Sequence, residues 1–198
     1  MPQPPEGGYG IFLREREFFM KNTGKSVVKL VYAAVCLALA MVLPLLIGQI
    51  PEIAKMLSPM HIPVLLCGFL CGWPYGLAVG FIAPLLRFAI FTRPPIMPDG
   101  IAMAFELAAY GCLTGLLYRA LPKKISSIYV ALILAMIGGR IVWGIAQFIL
   151  AGLSGSEFPM SAFIAGAVTN AVPGIILHIV LVPAIVIAMQ RAKIIPND

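Results

Sequence analysis

The sequence predicts an all-α integral membrane protein: six transmembrane helices, with both termini cytoplasmic. Three observations carry this. The chain has 198 residues, 61% of them hydrophobic and 11% charged, far more apolar surface than a water-soluble domain of this length can bury. The apolar residues fall into runs separated by short stretches rich in proline, glycine and charge, and the longer runs match the thickness of a bilayer. The basic residues also choose sides. With six spans, Arg14, Arg16, Lys21, Lys25, Lys29, Arg119, Lys123, Lys124, Arg191 and Lys193 share one face, against Lys55 and Arg93 on the other. Positive charge in short loops marks the cytoplasmic face. That clustering also accounts for the net charge of +6, so nucleic acid is not implied.

Residues 1–10 (MPQPPEGGYG) lack apolar periodicity and read as a disordered tail. No apolar core follows directly and no small-residue cleavage site closes the stretch, so it is not a secretory signal. Residues 11–25 mix charge with Phe12, Leu13, Phe18 and Phe19, the composition of a short helix lying on the membrane surface. The first span covers about 27–49. It holds Ala34 and Ala38, a small-xxx-small pair that allows close approach of another helix, although alanine is also simply common in such spans. Residues 50–60 are too short and polar to cross and form an outer loop or surface helix. A short apolar run, His61 to Cys71, is followed by the turn Gly72-Trp73-Pro74-Tyr75-Gly76 and a run to Phe91. Interrupted segments of this kind often line sites, because irregular backbone at depth must be covered by protein or a cavity.

After the loop 93–100, the fourth span runs from about Gly100 to Tyr118 and carries Gly111 and Gly115. The fifth, about 126–150, puts Arg140, Trp143 and Gln147 on one helical face. After the loop 152–160, the sixth, about 161–189, spaces Ala162, Gly166, Asn170, Gly174 and His178 at four-residue intervals, a small-and-polar seam. The domain organisation is therefore 1–25, a cytoplasmic tail and surface helix; 26–192, one six-helix membrane domain; and 193–198, a cytoplasmic tail.

The chemistry concentrates where charge enters apolar runs. Arg87 and Glu106 each lie about six residues from the loop 93–100, or about 9 Å below the membrane surface. Ionisable groups at such depth cost several kcal/mol and usually face a partner, a cavity or a substrate. Gln147 falls in the same outer third; Asn170 and Arg140 fall about 14–15 Å deep. The inner half holds only His178. A pore or proton relay needs polar groups through the full thickness, so this distribution suits a cup open to the outside. Its candidate lining is Arg87, Glu106, Tyr110, Arg140, Trp143, Gln147 and Asn170. One Arg–Glu pair leaves a guanidinium free for a carboxylate or phosphate. The competing reading is a structural ion pair joining spans three, four and five, with the aromatics as core and His178 as a hydrogen-bonded core histidine.

Catalysis is not expected. No aspartate lies in a span, the serines beside glycines (Ser154 and Ser156) are in a loop, and there is no phosphate-binding loop. The four cysteines (Cys36, Cys67, Cys71, Cys112) lie inside apolar runs and read as buried small hydrophobes. Cys67, Cys71 and His61 lack the further ligand a metal site requires, so no metal is expected.

The segments MHIPVLLCGFLCGWPYGLAVGFIAPLLR and PPIMPDGIAMAFELAAYGCLTGLLYR, with six short spans and the small-residue pair of the first, resemble the substrate-binding (S) component of energy-coupling factor vitamin transporters. The resemblance covers about residues 27–190 and is most specific over 60–119, where it is closest to the pantothenate group. It implies capture of a vitamin from outside the bacterial plasma membrane. It also implies association with a transmembrane coupling subunit and two cytoplasmic ATPases, which use the ATP, so that this chain needs no cofactor of its own. Ala34 and Ala38 would form the docking motif for the coupling subunit, and the loop 50–60 the lid. Riboflavin, pyridoxine or another vitamin remain alternatives, as does a non-transport membrane assembly protein. The nickel/cobalt branch fits poorly, because the start Met-Pro-Gln-Pro-Pro lacks that branch's early histidine.

Overall fold

The computed structural model describes residues 8–46, 56–92, 95–122, 124–153, 159–166 and 171–192. These form helices throughout: α1 (Gly8–Leu46), α2 (His61–Cys71), α3 (Trp73–Phe91), α4 (Ile101–Ala120), α5 (Ile125–Leu153), α6 (Met160–Ile164) and α7 (Val172–Arg191). Five segments are long and apolar enough to cross a membrane: Ser26–Leu46, Trp73–Phe91, Ile96–Ala120, Ile125–Leu153 and Val172–Arg191. The remaining apolar helix, α2, has 11 residues. At about 1.5 Å per residue it reaches only about half of a hydrocarbon core about 30 Å thick. The expected six spans are thus five full-length helices and one half-length helix.

The half-length helix is the centre of the bundle. Every residue from His61 to Phe69 is buried, which is why the run is apolar all round rather than striped. On one side Leu65, Leu66 and Phe69 join Tyr110, Tyr118, Ile128, Leu132, Val182 and Val186. On the other, Val64, Cys67 and Cys71 join Ala33, Cys36, Ala40, Val79 and Leu107. The cysteines are free thiols, three of them buried in this way. Large apolar side chains point outward on the surrounding helices, among them Ile137, Ile141, Ile145 and Phe148 on α5, as a lipid-facing surface requires.

Close helix approach is made by glycines. The turn expected over Gly72–Gly76 contracts to Gly72 alone (φ 92°, ψ 176°), a backbone that favours glycine. Helix α3 starts at once, with Pro74 in its first turn. It then crosses α4 so closely that a Cβ on Gly76 would lie 2.5 Å from the Gly111 carbonyl oxygen. On α2, a Cβ on Gly68 would lie 2.7 Å from the same oxygen. Gly80 meets the Leu107 backbone and Gly115 the Gly72–Trp73 backbone in the same fashion. Three helices therefore pack backbone to backbone, as small residues allow in membranes.

One expectation differs from the structure. The first helix has no break near residue 25; it runs for 39 residues from Gly8 to Leu46. The single Gly24 costs only about 1 kcal/mol, too little to end a helix, and no proline intervenes before Pro44. The expected sixth span, 161–189, includes residues 167–170, which lie outside the described residues. Its described C-terminal part is α7, with Pro173 in the first turn, where a missing N–H and fixed φ are tolerated. Gly166 faces the Trp143 ring, whereas Gly174 faces the backbone of Met56 and Leu57. Asn170, the side chain of Ala162 and residues 47–55 lie outside the described residues.

Candidate functional site

Glu106 is the hub. It sits on α4, six residues beyond the irregular winding Ile96–Gly100, in which Met97 is extended (φ −120°, ψ 136°) and the Gly100 N–H donates to the Pro95 carbonyl at 2.8 Å. Its side chain is 3% exposed. Arg140 Nη1 of α5 lies 3.0 Å from Glu106 Oε1. The Tyr110 hydroxyl, one turn along α4, donates to the same oxygen at 3.1 Å. His61 Nε2, at the start of α2, lies 3.5 Å from it, a long contact that falls short of good hydrogen-bond geometry. The His61 ring stands edge-on to Tyr110 at 5.2 Å and is stacked with His178 of α7 at 5.9 Å. Three helices thus meet at one buried carboxylate, and α7 joins them through the His61 ring.

The cluster extends along α5. Arg140 lies over the Trp143 ring at 6.0 Å, and Trp143 stacks on Phe163 of the short α6 at 6.1 Å. Gly144 makes room for Phe163, and Gly166 for Trp143. Further along, the buried Gln147 donates from Nε2 to Asp99 Oδ1 at 3.0 Å, tying α5 to the Ile96–Gly100 winding.

Arg87 belongs to a separate group. It is 5% exposed, donates from Nη1 to the Met41 carbonyl at 3.1 Å and lies 5.3 Å from the Phe91 ring centre. Met41 is three residues before Pro44 of α1, so Arg87 bonds the backbone in the turn preceding that proline. Among the described residues no carboxylate pairs with Arg87.

Of the residues singled out from the sequence, the structure brings together Glu106, Tyr110, Arg140 and Trp143. Gln147 lies beyond them on α5, Arg87 stands apart, and Asn170 lies outside the described residues. Depth counting put Arg140 well below Glu106, yet they pair. Helix α5 has 29 residues, about 43 Å at the usual rise, so counting inward from its end overstates depth. His61, His178 and Asp99 complete the polar set. Their signal in the sequence was weak, because a lone histidine in an apolar run reads as core.

The sequence profile described as ECF transporter, substrate-specific component, matches residues 28–186. A helical membrane bundle with a buried polar centre is what a solute-binding transport component requires, and the match spans most of the chain: it belongs to the family of substrate-specific components of ECF transporters. It is therefore a component of a transporter and not an enzyme, a multi-pass membrane protein that works with an ECF module on a small-molecule substrate. No curated protein and no solved structure matches the chain.

Proposed function

We propose that the protein captures a vitamin, with pantothenate as the best fit, from outside the bacterial plasma membrane. It hands this cargo to a transmembrane coupling subunit driven by two cytoplasmic ATPases. Both termini are cytoplasmic, as the ten-to-two distribution of basic residues argues. The polar cluster then opens toward the outside, beneath residues 50–60 as the lid.

The observation that carries this reading is the charge balance. Glu106 is already neutralised by Arg140 at 3.0 Å, and the buried Arg87 has only a backbone carbonyl and an aromatic ring as partners among the described residues. A structural reading of the charges accounts for the Glu106–Arg140 pair but gives the Arg87 guanidinium no anion among the described residues. A ligand carboxylate supplies one through paired hydrogen bonds. Pantothenate offers one carboxylate, and its amide and hydroxyls suit Gln147, Asn170 and the Glu106 cluster. Trp143 and Tyr110 form apolar walls. Ala34 and Ala38 are both exposed on α1, which leaves them available to dock the coupling subunit.

Uptake into proteoliposomes tests the proposal. The chain would be reconstituted with a coupling subunit and its ATPases. ATP-dependent accumulation of labelled pantothenate that requires this chain is the expected result. Accumulation of riboflavin or pyridoxine instead would reassign the substrate. Accumulation of none of them would contradict the vitamin reading.

A further inference from the structure

The polar centre contains hydrogen-bonding capacity that no described residue uses. His61 is 4% and His178 3% exposed. Beyond the long 3.5 Å contact of His61 Nε2 with Glu106, both ring nitrogens of His61, and Nε2 of His178, are buried without a hydrogen-bond partner among the described residues. The other side of the His178 ring bonds to the backbone of Ser58. With the Ser58 carbonyl as acceptor, that bond fixes the proton on Nδ1 and leaves a lone pair on Nε2. An unpaired buried polar atom loses its hydration and gains nothing in return. Two such rings side by side are costly in a protein that could have used phenylalanine or leucine.

We propose that His61 and His178 contact the substrate directly, and that they take its uncharged hydroxyl- or amide-bearing part. The proposal rests on the capture function argued above. The chemical class follows from the surroundings. His61 presents its two ring nitrogens, and His178 Nε2 offers an acceptor. Together they suit a hydroxyl, which both donates and accepts, or an amide. A carboxylate is disfavoured here, because the Glu106 carboxylate already lies 3.5 Å from His61 and the Arg140 charge is spent on it. The two histidines and the guanidinium of Arg87 thereby divide the ligand. Its polar uncharged part lies between α2 and α7, and its anionic end lies elsewhere.

The test combines ligand affinity with the stability of the ligand-free protein. His61→Phe and His178→Phe retain a ring of similar shape; His61→Asn and His178→Asn restore donor and acceptor capacity. Affinity for pantothenate, riboflavin and pyridoxine would be titrated, and thermal unfolding followed without ligand. Each Phe variant is expected to bind the accepted vitamin about tenfold or more weakly, with partial recovery in the Asn variants, while the ligand-free protein unfolds at an equal or higher temperature. Affinity equal to wild type would overturn the proposal, since a resident water or plain packing would then account for both rings. If the wild type binds none of the three, the vitamin reading falls and the histidines are judged on stability. Destabilisation of the ligand-free protein by both Phe variants would make them structural and overturn the proposal; a gain in stability would support a site kept for a ligand.

Discussion

Arg140 Nη1 lies 3.0 Å from Glu106 Oε1 and joins α5 to α4 at the point where α2 and α7 also converge. The Glu106 side chain is 3% exposed and the Arg140 side chain 19%. Removing one member strands the other in a medium that solvates charge poorly. Arg140→Ala is expected to cost about 3 kcal/mol, whereas the pair Glu106→Leu with Arg140→Met is expected to cost much less. Equilibrium unfolding in detergent, run as a double-mutant cycle, measures the difference.

The glycine seam makes a sharper prediction. A Cβ on Gly111 has no room against the Gly76 backbone, and backbone cannot move aside as a side chain can. Gly111→Ala is expected to destabilise by about 2–3 kcal/mol. Gly152→Ala, with nothing within 4 Å of its Cβ, is expected to be neutral or to stabilise by about 0.5–1 kcal/mol through helix propensity. Comparison of the two unfolding midpoints checks this.

Arg87 holds the Met41 carbonyl and, in the proposed function, the ligand carboxylate. Arg87→Ala is expected to lose about 1.5–3 kcal/mol of stability, the worth of a hydrogen bond to a charged group, and to leave a folded protein. Its affinity for a carboxylate vitamin falls at least a hundredfold, whereas Arg87→Lys recovers only part of it, because a lysine cannot make the paired contact. Titration calorimetry on the folded variants reads both effects.

Ala34 and Ala38 lie on the exposed side of α1, while Ala33, Cys36 and Ala40 on the other side are buried. Replacing both with tryptophan touches no core contact. The expected outcome is loss of uptake by the assembled transporter with ligand affinity unchanged. Retained uptake would remove Ala34 and Ala38 from the docking surface.

Much of this was legible in the sequence because membrane physics leaves few choices. Charges inside apolar runs picked out Arg87, Glu106 and Arg140, and interruption at Gly72 located the half-length helix. The pairing of Glu106 with Arg140 was not legible, because α5 is longer than a span and depth counted from its end misleads. His61 escaped because position in an apolar run does not reveal whether a buried imidazole is satisfied. Only its neighbours, Glu106 at 3.5 Å and His178 at 5.9 Å, carry that information.

The central claim is that the buried polar centre holds a small molecule. Native mass spectrometry of the purified protein, challenged with pantothenate, riboflavin and pyridoxine, tests it most directly. The account predicts a single stoichiometric adduct at the mass of one vitamin, weakened in Arg87→Ala and His61→Phe. A protein that remains empty against all three, with Arg87 and Glu106 needed only for folding, would contradict it.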